Sequence, residues 1–320
     1  MEIGKRMDFE YGLATRDAFG ETLRELGHEN LNIVVIDGDV ANSTRTEYFG
    51  EEFPERFFNV GIAESNLIGV ASGMAASGKD SLAASFAIFL LGNAYDQIRM
   101  SIAFPHLNVK LVGSHSGISL GEDGPSQMAI EDIALATSFP GFTVLAPADE
   151  PSTRAATCAM FEITGPVYLR TGRPKAPIIY TDSLQFQIGK AIPLRDGQDA
   201  TIIACGLMVA AALEASQELS ENGIQARVLD MHTVKPLDEE AIVRAAEETG
   251  AIVTAEEHLL EGGLGSAVAR LVTAKYPVPM GFVGIENQYA ESGRPQELFE
   301  KYGLTPADIV STVKRTVGRK

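Results

Sequence analysis

The sequence predicts an α/β chain of two domains, each a mostly parallel sheet covered by helices. Short runs rich in Val and Ile alternate with helical patterns along the whole chain. Those runs are apolar throughout rather than alternately polar, as strands buried on both faces are. One stretch rich in proline and turn residues breaks the rhythm near the middle. Before the break the candidate strands are NIVVID (32–37), NVKLVGS (108–114), FTVLAP (142–147) and PVYLRT (166–171). After it come ATIIACG (200–206), QARVLDM (225–231), GAIVTAEE (250–257) and MGFVGIE (280–286). Helical patterns occupy 16–27, 62–76, 92–103, 150–161, 208–221, 238–248 and 263–275. The interruption at 172–199 carries three prolines and places a boundary near residue 185, giving domains 1–185 and 186–320.

Composition limits the function. A formal charge of −17 over 320 residues repels nucleic acid and anionic lipid, so neither is an expected partner. The two cysteines, Cys158 and Cys205, lie far apart without CxxC spacing and read as free, buried thiols of a reducing compartment. The opening MEIGKRMDFEYG lacks the apolar centre of a signal peptide, and no apolar run approaches the ~18 residues of a spanning helix. A soluble, cytoplasmic protein is expected. No GxGxxG opens a helix after a strand, no GxxxxGK[ST] occurs, and no HExxH or other metal-ligand spacing is present. This chain alone is expected to hold no metal.

Within FFNVGIAESNLIGVASGMAASG (57–78), one carboxylate, Glu64, stands in a small and apolar run. Glu64 near a helix start satisfies free N–H groups and the dipole, which is a structural reading; a functional acid is the other. The glycines and alanines that follow predict close approach of another backbone. The loop GSHSGISLGEDGPSQMAIED (113–132) leaves a strand at the end where parallel sheets bind ligands. There His115 is either a surface histidine or a phosphate or hydroxyl contact. Asp123 sits in an ordinary turn or faces a substrate hydroxyl, and Ser126 is a plausible helix cap. Cations are scarce. Arg16 opens a helix, Arg170 and Arg173 follow a strand, and each is either ion-paired or an anion fork. DGDVANST (37–44) offers Asp39, Asn42 and Ser43 as turn and cap groups or as anion contacts. Phe86, Phe89 and Tyr95 in SFAIFLLGNAYDQIRM read as core before cofactor platform.

The order of these segments is specific. ATRDAFG, VIDGDVANST, FFNVGIAES, SFAIF…AYDQIRM, GEDGPSQMAIEDIA, VYLRTGRP, VLDMHTVKPLD and EEHLLEGGLG resemble the C-terminal half of transketolase, from about Tyr11 to Val317. The resemblance implies a pyrimidine-binding domain followed by a transketolase C-terminal domain, and thiamine diphosphate as cofactor. In that family the glutamate of the GIAE position hydrogen-bonds the aminopyrimidine and so helps deprotonate the thiazolium carbon; Glu64 would take that role. Phe86 and Phe89 would enclose the pyrimidine, Ile62 would touch it, and Asp39 matches a cofactor-side aspartate. Arg16, Ser43, His115 and Arg173 would grip a sugar phosphate, and Asp123 would read a hydroxyl. His115, Asp123 and Gln127 would stand nearest the reacting sugar.

Gln127 departs from relatives with His at that position, because glutamine cannot act as a general acid at pH 7. The resemblance also implies that Mg²⁺ and the diphosphate are held by a GDG…N segment absent here. A second polypeptide is therefore expected to supply it, in an α₂β₂ heterotetramer acting in carbohydrate metabolism, with the pentose phosphate pathway one possible setting. The alternatives are the β subunit of a 2-oxoacid dehydrogenase decarboxylase component and a non-catalytic transketolase-like subunit.

Overall fold

The computed structural model describes residue 3, residues 7–181 and residues 184–320. Residues 1, 2 and 4–6 of the opening stretch, and 182 and 183 of the connector, lie outside the described residues.

All eight candidate strands form. A seven-stranded sheet runs in the order Thr233–Lys235, Thr143–Leu145, Val167–Arg170, Val109–Ser114, Asp80–Phe86, Ile33–Asp37 and Phe57–Asn59. Its neighbours pair in parallel except at the Thr233–Lys235 edge, which is antiparallel. A five-stranded sheet has the order Met280–Ile285, Ile252–Leu259, Ala200–Ala204, Ala226–Asp230 and Ile192–Arg195, the last again antiparallel. The central strands Ile33–Asp37, Val109–Ser114 and Ala200–Ala204 are buried at every residue, Lys110 included, as strands covered on both faces are.

The two halves are not separate bodies. Thr233–Lys235 follows the connector in sequence yet completes the first sheet by pairing with Thr143–Leu145. One apolar core runs from Ile36, Leu67 and Leu111 through Val144 and Met231 to Ile203 and Leu264. Several elements of the first half escaped the sequence reading, among them the strands Tyr11–Ala14, Phe57–Asn59, Asp80–Phe86 and Lys175–Pro177 and the helices Glu47–Glu52 and Asp132–Ser138. The helix expected over 92–103 is instead Ala87–Asn93, then Tyr95–Ile98 running into a π-turn, Arg99–Ala103. Ser126 does not cap a helix; the helix begins at Asp132, and the Ser126 hydroxyl donates to Gln127 Oε1 at 2.6 Å. Cys205 is buried as expected, but Cys158 is only partly so. Among the described residues no helix is long and apolar enough to cross a membrane.

At the junction, Asp230 closes the strand Ala226–Asp230 without solvent contact and accepts the Tyr180 hydroxyl at 2.6 Å. Burial pushes its carboxyl up to about 7, against the pull of the Tyr180 hydrogen bond and with a further push from Asp149. With a raised folded value, the contribution to stability is full below the unfolded carboxylate range and is lost as pH rises through about 7. Asp230→Asn keeps an acceptor for Tyr180 and removes the titration. The drop in urea unfolding free energy between pH 6.5 and 8.5 is expected to shrink by about 1 kcal/mol in that variant. An unchanged drop would contradict this account of Asp230.

Candidate active site

Four neighbouring strands of the large sheet end on the same side, and each delivers site residues from its carboxyl end, the edge at which open parallel sheets bind ligands. Ile33–Asp37 leads into Asp39, Ser43 and Arg45. Asp80–Phe86 ends on Phe86, with Phe89 one turn on. Val109–Ser114 ends beside His115, and Val167–Arg170 leads to Arg173. Five non-glycine residues have positive φ among the described residues, and three of them lie here: Asp39 (67°), Arg45 (68°) and His115 (61°). Left-handed backbone is costly for such residues and concentrates where side chains must be aimed.

The strand order sets up a continuous ladder. Phe89 and Phe86 lie parallel, 11° apart with centroids separated by 6.1 Å. Phe86 stacks on His115 at 4.0 Å and 14°. Arg16, from the first turn of the helix Thr15–Glu29, brings Nη1 to 3.1 Å from His115 Nε2 and donates to Ser43 O at 3.2 Å. A guanidinium only donates, so Nε2 is the acceptor, and the ring proton sits on Nδ1 facing Ser114 Oγ at 2.8 Å. Burial, then the charges of Arg16, Arg173 and Arg45, pushes the His115 ring down to about 3. His115 is therefore neutral at pH 7: it can bind and orient, but it cannot serve as a proton donor there.

Arg173 closes the mouth. Its Nη1 donates to Leu120 O at 2.9 Å and lies 3.5 Å from Asp123 Oδ1. Arg45 was not singled out in the sequence. It shares Asp17 with Arg16, at 2.5 Å from Arg45 Nε and 4.0 Å from Arg16 Nε, and adds a third guanidinium to the field at His115. Three arginines thus bear on one imidazole in a chain of charge −17, each also within ion-pair distance of a carboxylate: Arg16 and Arg45 of Asp17, and Arg173 of Glu122 and Asp123.

Glu64 is the first residue of the helix Glu64–Ala76 and is 6% exposed. Ser85, directly before Phe86, donates to its Oε1 at 3.1 Å, while Oε2 accepts no hydrogen bond among the described residues. A carboxyl with one oxygen to spare is thus held by the residue that directly precedes the aromatic pair in the chain. Asp39 is exposed and accepts from Asn59 at 2.7 Å, and Asn59 Oδ1 takes the Gly61 N–H at 2.9 Å, tying Asp39 to the turn that holds Ile62. Ile62 is 79% exposed. Gln127 is turned to Ser126 and makes no contact with the ladder. Arg170 is no anion fork: it is buried against Asp132. Ser85 and Ser114, which orient Glu64 and His115, carry no signal in the sequence; Arg45, inside DGDVANSTR, could have been weighed with its neighbours. Among the described residues no group of three or more His, Cys, Asp or Glu is placed to hold a metal.

Comparison with known proteins matches residues 11–178 to the pyrimidine binding domain of transketolase and residues 189–309 to the transketolase C-terminal domain. A putative transketolase C-terminal section of Methanocaldococcus jannaschii is 44% identical over 301 residues, covering 93% of this chain and 94% of its own length. A 6-deoxy-6-sulfo-D-fructose transketolase subunit, SqwH, of a Clostridium species is 42% identical over 305 residues, with 95% of each chain covered. A solved split-gene transketolase, described as an inactive β4 tetramer, superposes with a TM-score of 0.91 at 48% identity, covering 97% of this chain and 100% of that one. By these matches the chain belongs to the transketolase family, of which it comprises the pyrimidine-binding and C-terminal domains.

Proposed function

We propose that this chain is the C-terminal subunit of a two-subunit, thiamine diphosphate-dependent transketolase that moves a two-carbon ketol unit from a ketose phosphate to an aldose phosphate. One observation carries the reading: the spare oxygen of Glu64, held by Ser85 directly before the Phe86–Phe89 pair, which is joined through His115 to an arginine-lined mouth. An aminopyrimidine needs a flat apolar face and an acid at its nitrogens, and these residues fit it. Relatives that are transketolase sections over nearly their full length favour this over a 2-oxoacid dehydrogenase subunit.

When bound, thiamine diphosphate supplies a carbon nucleophile. Glu64 would hydrogen-bond the pyrimidine through its free carboxyl oxygen, with Ser85 fixing the orientation. Phe86, Phe89 and Ile62 enclose the ring and exclude water, and Asp39 lies on the cofactor side. Arg16, Ser43 and Arg173 bind the anionic end of the sugar. Neutral His115 accepts from Arg16, and Asp123 and Gln127 reach the sugar's hydroxyls by hydrogen bonds rather than by proton donation. Mg²⁺ and the diphosphate belong to the partner subunit, in an α₂β₂ assembly, and the domain division falls near residue 185. Two free cysteines support a cytoplasmic setting. SqwH is named for a sulfonated ketose, so the anion is not tied to phosphate or to the pentose phosphates.

A partner also accounts for the face of helix Glu64–Ala76. Ser65, Asn66, Gly69, Gly73 and Ala76 are exposed, and a Cβ added at Gly69 or Gly73 would meet nothing within 4 Å. The backbone expected to pack there does not come from the described residues of this chain. Nearby, Phe104 is 83% and Met100 48% exposed, as suits a surface that docks.

The test is assembly and turnover. The chain mixed with a transketolase N-terminal subunit, thiamine diphosphate and Mg²⁺ is expected to convert ketose phosphates, and neither chain alone to do so. Arg173→Ala should raise KM for a ketose phosphate about ten-fold or more and change that for the unphosphorylated sugar less than two-fold. Equal effects on both sugars would remove Arg173 from the anion site.

A further inference from the structure

His115, Asp123 and Gln127 all stand on one loop, between strand Val109–Ser114 and helix Asp132–Ser138, whose only pairing among the described residues is a bridge of Ser116 with Ala129. Much of what holds that loop comes from the C-terminal domain. Glu257, on strand Ile252–Leu259, is 3% exposed, and its Oε1 accepts the Ser119 N–H at 2.5 Å. Its main-chain carbonyl accepts Arg170 Nη2 at 2.8 Å, and the same Arg170 clamps Asp132 and reaches Ala129 O at 3.4 Å. Two residues on, the Leu259 N–H donates to Ile130 O at 2.8 Å. Both sides of the loop are thus fastened at Glu257 and its strand: Ser119 by the carboxylate, Ala129 through the Arg170 that the Glu257 carbonyl holds, and Ile130 by the Leu259 N–H. The fit is close: Gly117 has φ +78°, and a Cβ there would lie 2.2 Å from Glu257 Oε1.

A fully buried carboxylate is a poor device for stability, since an apolar residue of like size would do as well or better. It is a good device for holding a chosen N–H in place. Ser119 precedes Leu120, whose carbonyl accepts from Arg173, and Arg173 also faces Asp123. We propose that Glu257 is a positioning residue: by holding the Ser119 N–H it sets Leu120 and Asp123, and through them Arg173, for the anionic end of the substrate. This rests on the function proposed above. No residue of the C-terminal domain takes part in the Phe89–Phe86–His115–Arg16 ladder itself, so the domain would act on the substrate through this clamp.

Two measurements test it, each on Glu257→Gln and Glu257→Ala. In the assembled enzyme, Glu257→Ala is expected to raise KM for a ketose phosphate about ten-fold, to alter that for the unphosphorylated sugar less than two-fold, and to leave thiamine diphosphate affinity unchanged. Glu257→Gln, which keeps an oxygen for the Ser119 N–H, should recover most of the loss. In this chain without its partner, amide deuterium exchange over residues 117–123 is expected to quicken about ten-fold in Glu257→Ala, with the strand Ile33–Asp37 unaffected. If Glu257→Ala does not fold, the smaller rise in loop exchange in Glu257→Gln carries the test. Unchanged loop exchange, or equal losses for both sugars and the cofactor, would overturn the inference. If the wild-type assembly turned over no ketose phosphate, the functional reading would fail, and loop exchange would still decide whether the clamp exists.

Discussion

Exchanging Glu64 for glutamine in the assembled enzyme is expected to slow deuterium exchange at the thiazolium carbon about a hundred-fold or more, the scale of a lost general acid–base group. The fold should survive. Glutamine retains an oxygen for the Ser85 hydroxyl, which donates to Glu64 at 3.1 Å, and it occupies the helix start as readily. The charge lost from the first turn of Glu64–Ala76 is worth under about 1 kcal/mol there. What glutamine cannot do is give up and regain a carboxyl proton at the free oxygen. Ser85→Ala should cost only a few-fold, because it loosens the carboxyl without removing it. Exchange within three-fold of wild type in Glu64→Gln would remove this residue from the chemistry and leave it as a helix-start carboxylate.

The fold was legible wherever burial was complete. Strands such as NIVVID and ATIIACG are apolar at nearly every position because both faces are covered, and little else in a soluble chain produces such short, uninterrupted runs. Asp80–Phe86 was missed because four of its five inner residues are Ser or Ala, which carry little hydrophobic contrast although they are just as buried as Leu82 among them. Thr233–Lys235 was invisible for another reason: it pairs across the division of the chain, and its three residues gain their meaning only from Thr143–Leu145. The same holds at the site. Glu64 stood out because a carboxylate among alanines and glycines is unusual, and Arg16 and Arg173 because cations are few. The low proton affinity of His115 could not be read, since it arises from burial and three arginines that are remote in sequence. Nor could the identity of the ion pairs: Arg170 and Arg173 look alike in YLRTGRP, yet one is sealed in the core and the other faces the mouth.

Arg170 sets the largest stability effect expected of a single substitution. Asp132 is fully buried; burial pushes its carboxyl up, but the Arg170 guanidinium holds it below the usual carboxylate range. Arg170 Nε and Nη2 reach its two oxygens at 2.8 and 3.2 Å, and the Tyr168 hydroxyl donates to it at 2.8 Å. Asp132→Ala leaves a buried guanidinium that cannot deprotonate and a buried hydroxyl with no acceptor. The expected loss is about 3–5 kcal/mol in urea unfolding, followed by far-UV circular dichroism because the chain has no Trp. Removing both charges tells whether the pair stabilises or only satisfies itself. Asp132→Ala combined with Arg170→Met is expected to recover at least about 1 kcal/mol of the single variant's loss, since no uncompensated charge then remains inside. A double variant as unstable as the sum of its parts would mean that Arg170 acts chiefly through Ala129 and Glu257, the two carbonyls it also holds, and that the ion pair with Asp132 is secondary.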